Sequence, residues 1–331
     1  MKKILVVRPG ELEFVDLPEP AIGPRDVRIR VRLSGLSARS EIERYVRNPA
    51  GKPEEIGYNV VGVVDGCGAE VARVQPGDRV YAAVGHADVA VVDERRVITI
   101  PDEVDDESAC FAYLPTLGTH ALRLGGYQPG QFVAISGQGI IGHTAALMAL
   151  HFGARTIAID LSDERLALAR RAGVHLTVNP LREDAKEAVA EFCGATGLDL
   201  VIDTASSWRS LSQSLDLIRA GGRIVMLGII RDAPTEADAA GVFDAYRRNM
   251  HSKEATIIGA SNDPHDPDGS SGLRFTRERN IEEVLSHVAT GSLDFKRLIT
   301  HRYPIGEIEN VYRLLLDGGQ DHLGVVFTWP A

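Results

Sequence analysis

Short apolar runs recur along the first hundred residues and predict a β-rich region. The runs alternate apolar with polar positions or are briefly continuous, and Pro, Gly and Asp separate them, as is typical of strands joined by tight turns. The predicted strands are 2–7, 11–17, 26–36, 59–66, 78–84 and 88–92.

The pattern changes after about residue 122, where apolar runs begin to alternate with helical periodicity. Strands joined by helical crossovers favour a doubly wound parallel sheet. The six strands predicted here are 131–136, 155–160, 175–178, 198–204, 222–229 and 255–261.

The C-terminal tail is expected to return to the N-terminal β-rich region. Helical patterns at 279–294 and 305–319 flank a strand pattern at 298–305, and a closing strand is predicted at 323–329. We therefore predict an α/β protein with one domain from residues 1–123 and 263–331, and a Rossmann domain from 124–262 inserted in it.

The stretch "SGQGIIGH" (136–143) has the spacing G-x-G-x-x-G between a predicted strand and a predicted helix. Gly137 would allow the tight turn, Gly139 the approach of a pyrophosphate, and Gly142 close packing of helix on strand. Asp160 ends the next strand, where a carboxylate accepts hydrogen bonds from ribose hydroxyls and repels a 2′-phosphate. The sequence thus predicts NAD rather than NADP. The remaining residues assigned to this cofactor site are Ile140, Ile141, Arg165 and Thr116.

Composition narrows the function. The chain has 331 residues, a formal net charge of −10 and 25% charged residues, which argues against nucleic acid as a partner. Three scattered cysteines do not form a disulfide framework or a zinc cluster, so we expect reduced thiols and a cytoplasmic protein. The apolar run at the N-terminus is too short for a signal peptide, and no stretch reaches transmembrane length, so no membrane partner is expected.

Several stretches, in this order, resemble the medium-chain dehydrogenase/reductase superfamily, and within it the alcohol and polyol dehydrogenase branch. They include "PRDVRIRVRLSGLSARSE", "IGYNVVGVV", "VQPGDRVYA", "AYLPTLGTHALR", "ISGQGIIG", "GGRIVMLG" and "LITHRYPIGEIENVY". The resemblance implies a GroES-like catalytic domain, a Rossmann domain and a nicotinamide in the cleft between them.

The resemblance also implies a catalytic zinc, but the chain departs from that pattern. Ser37, Tyr58 and Tyr113 stand where zinc-dependent relatives have a Cys, a His and a Glu or Cys, and Asn59 replaces a neighbouring acid. Ser and Tyr are not usual zinc ligands, so no zinc is expected. His86, Asp88 and Asp93 are interpreted as turn and strand residues rather than as metal ligands.

Without zinc, another group must take the proton of the alcohol. Tyr58 and Tyr113 are the leading candidates, because the resemblance directs both toward the position of the metal. Arg39 or the oxidised nicotinamide would stabilise a phenolate, Ser37 would orient or relay the proton, and Glu41 is a further candidate base.

The predicted function is therefore a zinc-independent, NAD-linked oxidoreductase that interconverts a secondary alcohol and a ketone. The resemblance to the polyol branch implies that the substrate is a sugar, cyclitol or similar polar polyol. The alternatives are an NADPH-dependent quinone or enoyl reductase and a non-catalytic dinucleotide-binding protein. A homodimer or homotetramer is expected, because 255–261 would be an apolar edge strand.

Overall fold

The chain forms two compact units, each with its own core. The structure is a computed structural model that describes residues 1–48, 51–194, 196–266, 270–318 and 322–330. The terminal unit comprises residues 1–113 and 264–331, and the central unit comprises 114–263.

Both units mix strands with helices, and the bounds of these elements are as follows. The strands are β1 Lys2–Arg8, β2 Glu11–Asp16, β3 Asp26–Gly35, β4 Glu54–Glu55, β5 Val60–Cys67, β6 Arg79–Ala82, β7 Val89–Asp93, β8 Val97–Thr99, β9 Phe132–Ser136, β10 Arg155–Ile159, β11 Leu176–Val178, β12 Leu198–Asp203, β13 Ile218–Met226, β14 Thr256–Gly259, β15 Ile299–Pro304 and β16 Gly324–Thr328. The helices are α1 Ala38–Arg47, α2 Asp106–Cys110, α3 Tyr113–Leu124, α4 Ile140–His151, α5 Asp163–Arg171, α6 Ala185–Cys193, α7 Trp208–Leu217, α8 Glu236–Ala245, α9 Arg277–Ala289 and α10 Ile308–Leu316.

The terminal unit is built on a seven-stranded sheet in which both ends of the chain meet. Its path runs β15-β16-β3-β5-β6-β8, with β7 paired to β3, and a small β2-β1-β4 sheet accompanies it. β16 pairs antiparallel with β3, which confirms that the tail returns to the N-terminal strands. Alternate side chains of β3, such as Val27 and Ile29, are fully buried and form part of one apolar core.

The central unit carries a six-stranded, fully parallel sheet in the order β11-β10-β9-β12-β13-β14. This order places the first three strands on one side of the sheet and the last three on the other, and the direction of winding reverses between β9 and β12. The Rossmann architecture expected from the sequence is thus confirmed. Ligands of such sheets bind beyond the carboxyl ends of the strands at that reversal.

The division between the units differs from the sequence-based boundary after residue 123. It falls after Tyr113, so most of α3 belongs to the central unit. Close packing explains this: a Cβ on Gly118 would lie 2.5 Å from the Cα of Ala145 in α4. An apolar helix pattern does not by itself show which core the helix joins.

Local patterns missed some short elements and overextended others. β4 and β8 have too few residues to show a periodicity, and neither was predicted. The helix predicted at 305–319 begins as a 3₁₀ turn at Ile305–Glu307, and α10 follows it. Among the described residues, no helix is long and apolar enough to cross a membrane.

Candidate active site

The glycine-rich loop between β9 and α4 has the geometry of a phosphate cradle. Gly137 has φ of 86°, and a Cβ there would lie 2.7 Å from the backbone N of Ala205. A Cβ on Gly142 would lie 1.8 Å from the carbonyl oxygen of Gly137, so only glycine fits. Gly139 is the N-cap of α4 without a side-chain cap, and a Cβ there would point into open space. The first N–H groups of α4 are therefore available to an anion.

Asp160 follows β10 and accepts two backbone hydrogen bonds, one from this loop and one from the residue that caps α5. Its Oδ2 accepts from the N–H of Gln138 at 2.5 Å, and its Oδ1 accepts from the N–H of Ser162 at 2.8 Å. A carboxylate has about four lone-pair sites, so each oxygen retains capacity for a ribose hydroxyl. The glycines and Asp160 together fit a nicotinamide dinucleotide.

The other residues assigned to the cofactor lie in the central unit in different settings. Ile140 and Ile141 form the half-buried first turn of α4. Arg165 lies in the first turn of α5. Among the described residues its buried Nε has no hydrogen-bond partner. Thr116 is fully buried in α3. These four assignments stay predictions.

His143 is a contributor to this loop that the sequence analysis did not identify. It lies buried in α4, and its Nδ1 is 2.8 Å from the carbonyl oxygen of Gln138. Burial lowers the pKa of His143, which keeps the imidazole neutral, so its Nδ1–H donates to that carbonyl. The sequence pattern placed His143 only at the start of a predicted helix.

In the terminal unit, three hydroxyl groups meet at the positions of two of the expected metal ligands. Ser37 is the N-cap of α1, and the Oγ of Ser40 donates to the Oγ of Ser37 at 2.9 Å. The Tyr58 hydroxyl lies within the electrostatic influence of both serines. Burial raises the pKa of Tyr58, and the two serine hydroxyls oppose this shift. We call Ser37, Ser40 and Tyr58 the hydroxyl cluster.

Tyr113 and Arg277 border the hydroxyl cluster. The ring of Tyr113 packs edge-to-face on that of Tyr58, with centroids 5.9 Å apart, and the Arg277 Cζ lies 5.3 Å from the Tyr113 centroid. The positive charge of Arg277 lowers the pKa of Tyr58 slightly, against the larger effect of burial. The sequence-based prediction assigned this cation to Arg39 or to the oxidised nicotinamide, and the side chain of Arg39 is exposed on α1. Arg277 was missed because it lies at the start of α9, with no local pattern to link it to Tyr113.

Glu41 is the centre of a buried polar network rather than an open base. Its Oε1 accepts from the N–H of Ser37 at 2.7 Å, and its Oε2 accepts from the Tyr312 hydroxyl at 2.6 Å. The Nε2 of His86 lies 2.9 Å from the same Oε2. Glu41, His86 and Tyr312 are all at most 2% exposed. These contacts do not support the prediction that Glu41 is a base, because both oxygens are engaged by Ser37, by Tyr312 of α10 and by His86 between β6 and β7.

The side chains present here do not fit a zinc ion. Within the described ranges, no group of three or more His, Cys, Asp or Glu residues could hold a metal. The Asn59 Oδ1 accepts from the Tyr81 hydroxyl at 2.8 Å. Burial strongly raises the pKa of Cys110, so its thiol stays protonated and is a poor ligand.

The charged residues near β7 also have structural partners. His86 is bound to Glu41, the Asp88 Oδ1 accepts from the N–H of Lys2, and Asp93 caps a 3₁₀ turn while pairing with Arg95. This agrees with their interpretation as turn and strand residues.

The central unit has a loop that fits a dinucleotide, and the terminal unit has a cluster of hydroxyl groups, as expected of a nicotinamide-dependent dehydrogenase. Comparison with known families places residues 23–129 in the alcohol dehydrogenase GroES-like domain family and residues 141–264 in the zinc-binding dehydrogenase family. The chain belongs to the medium-chain dehydrogenase/reductase superfamily and is alcohol dehydrogenase-like.

Individual relatives cover most of the chain. An L-threonine 3-dehydrogenase of Anaeromyxobacter dehalogenans (strain 2CP-C) is 30% identical over 65% of this chain and 72% of its own. An alcohol dehydrogenase of Geobacillus stearothermophilus is 27% identical over 93% of each chain. The fold is similar to that of galactitol-1-phosphate dehydrogenase from Escherichia coli, with a TM-score of 0.83, 22% identity, and coverage of 99% of this chain and 100% of the other.

Proposed function

We propose that this protein interconverts a secondary alcohol and a ketone on a sugar, cyclitol or similar polar polyol, with NAD as cofactor and without catalytic zinc. The observation that carries the proposal is the hydroxyl cluster, which stands at positions where a metal would otherwise polarise the substrate oxygen. The relatives named as alcohol, L-threonine and galactitol-1-phosphate dehydrogenases support the alcohol class.

Tyr58 is the proton-transfer group in this mechanism. When held by the glycine-rich loop and Asp160, the nicotinamide cofactor would supply the hydride acceptor for oxidation and the hydride donor for reduction. In ketone reduction the Tyr58 hydroxyl donates its proton to the substrate oxygen. Ser37 and Ser40 then restore that proton, because they connect Tyr58 to the exposed side of α1. Alcohol oxidation uses the same groups in reverse.

The environment of the phenol favours the protonated form at neutral pH. Burial raises its pKa, so Tyr58 is a ready donor for reduction and a weak acceptor for oxidation. The positive charge of Arg277 opposes this effect and eases the loss of the proton when an alcohol is oxidised. Tyr113 supports the ring of Tyr58 and carries Arg277 on its face.

Two further features of the central unit belong to this proposal. Asp160 selects NAD, because its carboxylate repels the 2′-phosphate of NADP. β14 ends the parallel sheet, and the Ile257 side chain on it is 39% exposed. Apolar edge strands are normally paired or covered, so we propose a homodimer, or a tetramer built from it, that pairs through this edge.

Metal analysis combined with turnover tests the zinc-free mechanism. We expect the purified protein to hold far less than stoichiometric zinc and to oxidise a panel of polyols with NAD after treatment with a chelator. Stoichiometric zinc, with activity lost on chelation and restored by zinc, would reject the proposal. Tight NAD binding without turnover of any alcohol, ketone or quinone would instead identify a non-catalytic binding protein.

A further inference from the structure

A small pocket in the terminal unit is lined in part by Arg277, the residue that packs on the ring of Tyr113. Its lining includes Tyr81, Arg96, His265, Arg277 and Glu278. The guanidinium of Arg277 therefore links this pocket to the Tyr113 ring, from whose centroid its Cζ lies 5.3 Å away. Because Tyr113 contacts Tyr58, the pocket is a short distance from the hydroxyl cluster.

Arg277 lines the pocket, and one nitrogen of its guanidinium forms no hydrogen bond within the described part of the chain. Its Nε is buried and has no hydrogen-bond partner there. A buried, unsatisfied donor on a charged group carries a substantial desolvation cost. An anion bound to the Arg277 guanidinium in the pocket would offset this cost through charge-assisted hydrogen bonds.

The neighbouring carboxylate does not fulfil that role. The Oε1 of Glu278 lies 2.5 Å from the Nδ1 of His265, and its Oε2 accepts from the N–H of Asp266 at 3.3 Å. Glu278 is therefore engaged by the loop that precedes α9. Arg96 adds a second, exposed guanidinium to the lining.

We propose that Arg277, assisted by Arg96, binds an anionic group of the substrate, so that the preferred substrate is a polyol bearing a carboxylate or a phosphate near its reacting alcohol. This inference rests on the proposed function, because it assumes that the alcohol is held at Tyr58. Both anions match the planar fork of an arginine, which binds two acceptor oxygens side by side. Arg277 packs on the ring of Tyr113, and that ring contacts Tyr58, so the guanidinium and the phenol belong to one side-chain cluster.

The first arm of the test measures anion binding without turnover. Protein saturated with NAD, so that the dinucleotide site is filled, is titrated with malonate and with inorganic phosphate by calorimetry. The variants are Arg277→Gln, Arg277→Lys and, as a control, Arg297→Gln. Arg297 lies in the same unit with a side chain 77% exposed, so its replacement removes the same charge from the surface. We expect affinity to fall roughly tenfold to hundredfold in Arg277→Gln, less in Arg277→Lys, and little in the control.

The second arm compares galactitol, galactonate and galactitol 1-phosphate as substrates. We expect kcat/KM of wild type to be highest for an anionic member. Arg277→Gln should lower it roughly tenfold to hundredfold more for that member than for galactitol, whose smaller loss measures the effect of Arg277 on Tyr58. The member that shows the larger loss identifies carboxylate or phosphate.

The two arms separate the inference from the proposed function. Equal anion affinity in wild type, Arg277→Gln and Arg297→Gln would overturn the inference, whatever the turnover. An equal loss for the neutral and the anionic substrates would overturn it too, because Arg277 would then act on Tyr58 alone. Anion binding that depends on Arg277, in a protein that oxidises none of the alcohols, would support the anion site and reject the proposed function.

Discussion

Replacing Glu41 by Leu should destabilise the terminal unit strongly and reduce turnover indirectly. The leucine side chain fills similar space but accepts no hydrogen bond. The N–H of Ser37, the hydroxyl of Tyr312 and the Nε2 of His86 would then lose their common partner. Glu41 is 2% exposed, so water has little access to replace it.

The size of the effect follows from these three contacts. Removing one side of a buried polar network leaves the others desolvated and unpaired, which costs about 3–5 kcal/mol. Tyr312→Phe removes only one of the three contacts and leaves Glu41 bound to Ser37 and His86, so it should cost about 1–2 kcal/mol. The structure therefore predicts a larger loss in the free energy of unfolding for Glu41→Leu than for Tyr312→Phe.

Urea unfolding followed by tryptophan fluorescence measures these losses. Trp329 is buried in the terminal unit, where its Nε1 donates to the Ser34 Oγ, and a Trp208→Phe background removes the other tryptophan of the chain. The terminal unit is then observed alone, which matters because two units need not unfold together.

Glu41→Gln separates positioning from catalysis, because glutamine keeps an acceptor for Ser37 but cannot act as a base. We expect kcat to fall only modestly, with unchanged affinity for NAD. A loss of roughly 10² or more in kcat with intact stability would show that Glu41 is the catalytic base. Wild-type stability of Glu41→Leu would refute the network argument itself.

Three further predictions concern the cofactor, the phenol and the assembly. Asp160→Ala should narrow the preference for NAD over NADP in a titration of both cofactors, and equal affinities in the wild type would contradict its role. Because burial raises the pKa of Tyr58, kcat/KM for ketone reduction should stay level through neutral pH and fall only above the ordinary phenol pKa of about 10, while alcohol oxidation should rise over the same range. A Tyr58→Phe variant that keeps this alkaline dependence would assign it to another group. Light scattering should show at least a dimer at micromolar concentration, and Ile257→Lys should weaken it; a monomeric wild type would contradict pairing through β14.

Local sequence patterns were sufficient for the central unit. Its strands are buried and apolar, and its crossovers are helical. The need for glycine is local in part, through the positive φ of Gly137 and the close approach of Gly142 to the carbonyl oxygen of Gly137. The end of β10 at Ile159 also placed Asp160 directly after the strand, beside the loop. These features depend on neighbours along the chain, so they can be predicted from it.

The candidate site of the terminal unit depended instead on contacts between distant residues. Tyr312 is 271 positions from Glu41 in sequence, and no periodicity indicates that they meet. Arg277 reaches the Tyr113 ring from a separate segment of the same unit. The resemblance indicated which side chains replace the metal ligands, but the partners of Glu41 and the neighbouring cation required the structure.

The most direct test of the central claim is the turnover of metal-depleted Tyr58→Phe, measured beside metal-depleted wild type and Tyr113→Phe. Phenylalanine keeps the ring packing and removes only the hydroxyl. We predict that metal-depleted wild type stays active, that Tyr58→Phe loses roughly 10² to 10⁴ in kcat with little change in NAD affinity, and that Tyr113→Phe loses less. Near-normal turnover of Tyr58→Phe, or inactivity of the metal-depleted wild type with recovery on adding zinc, would contradict the account.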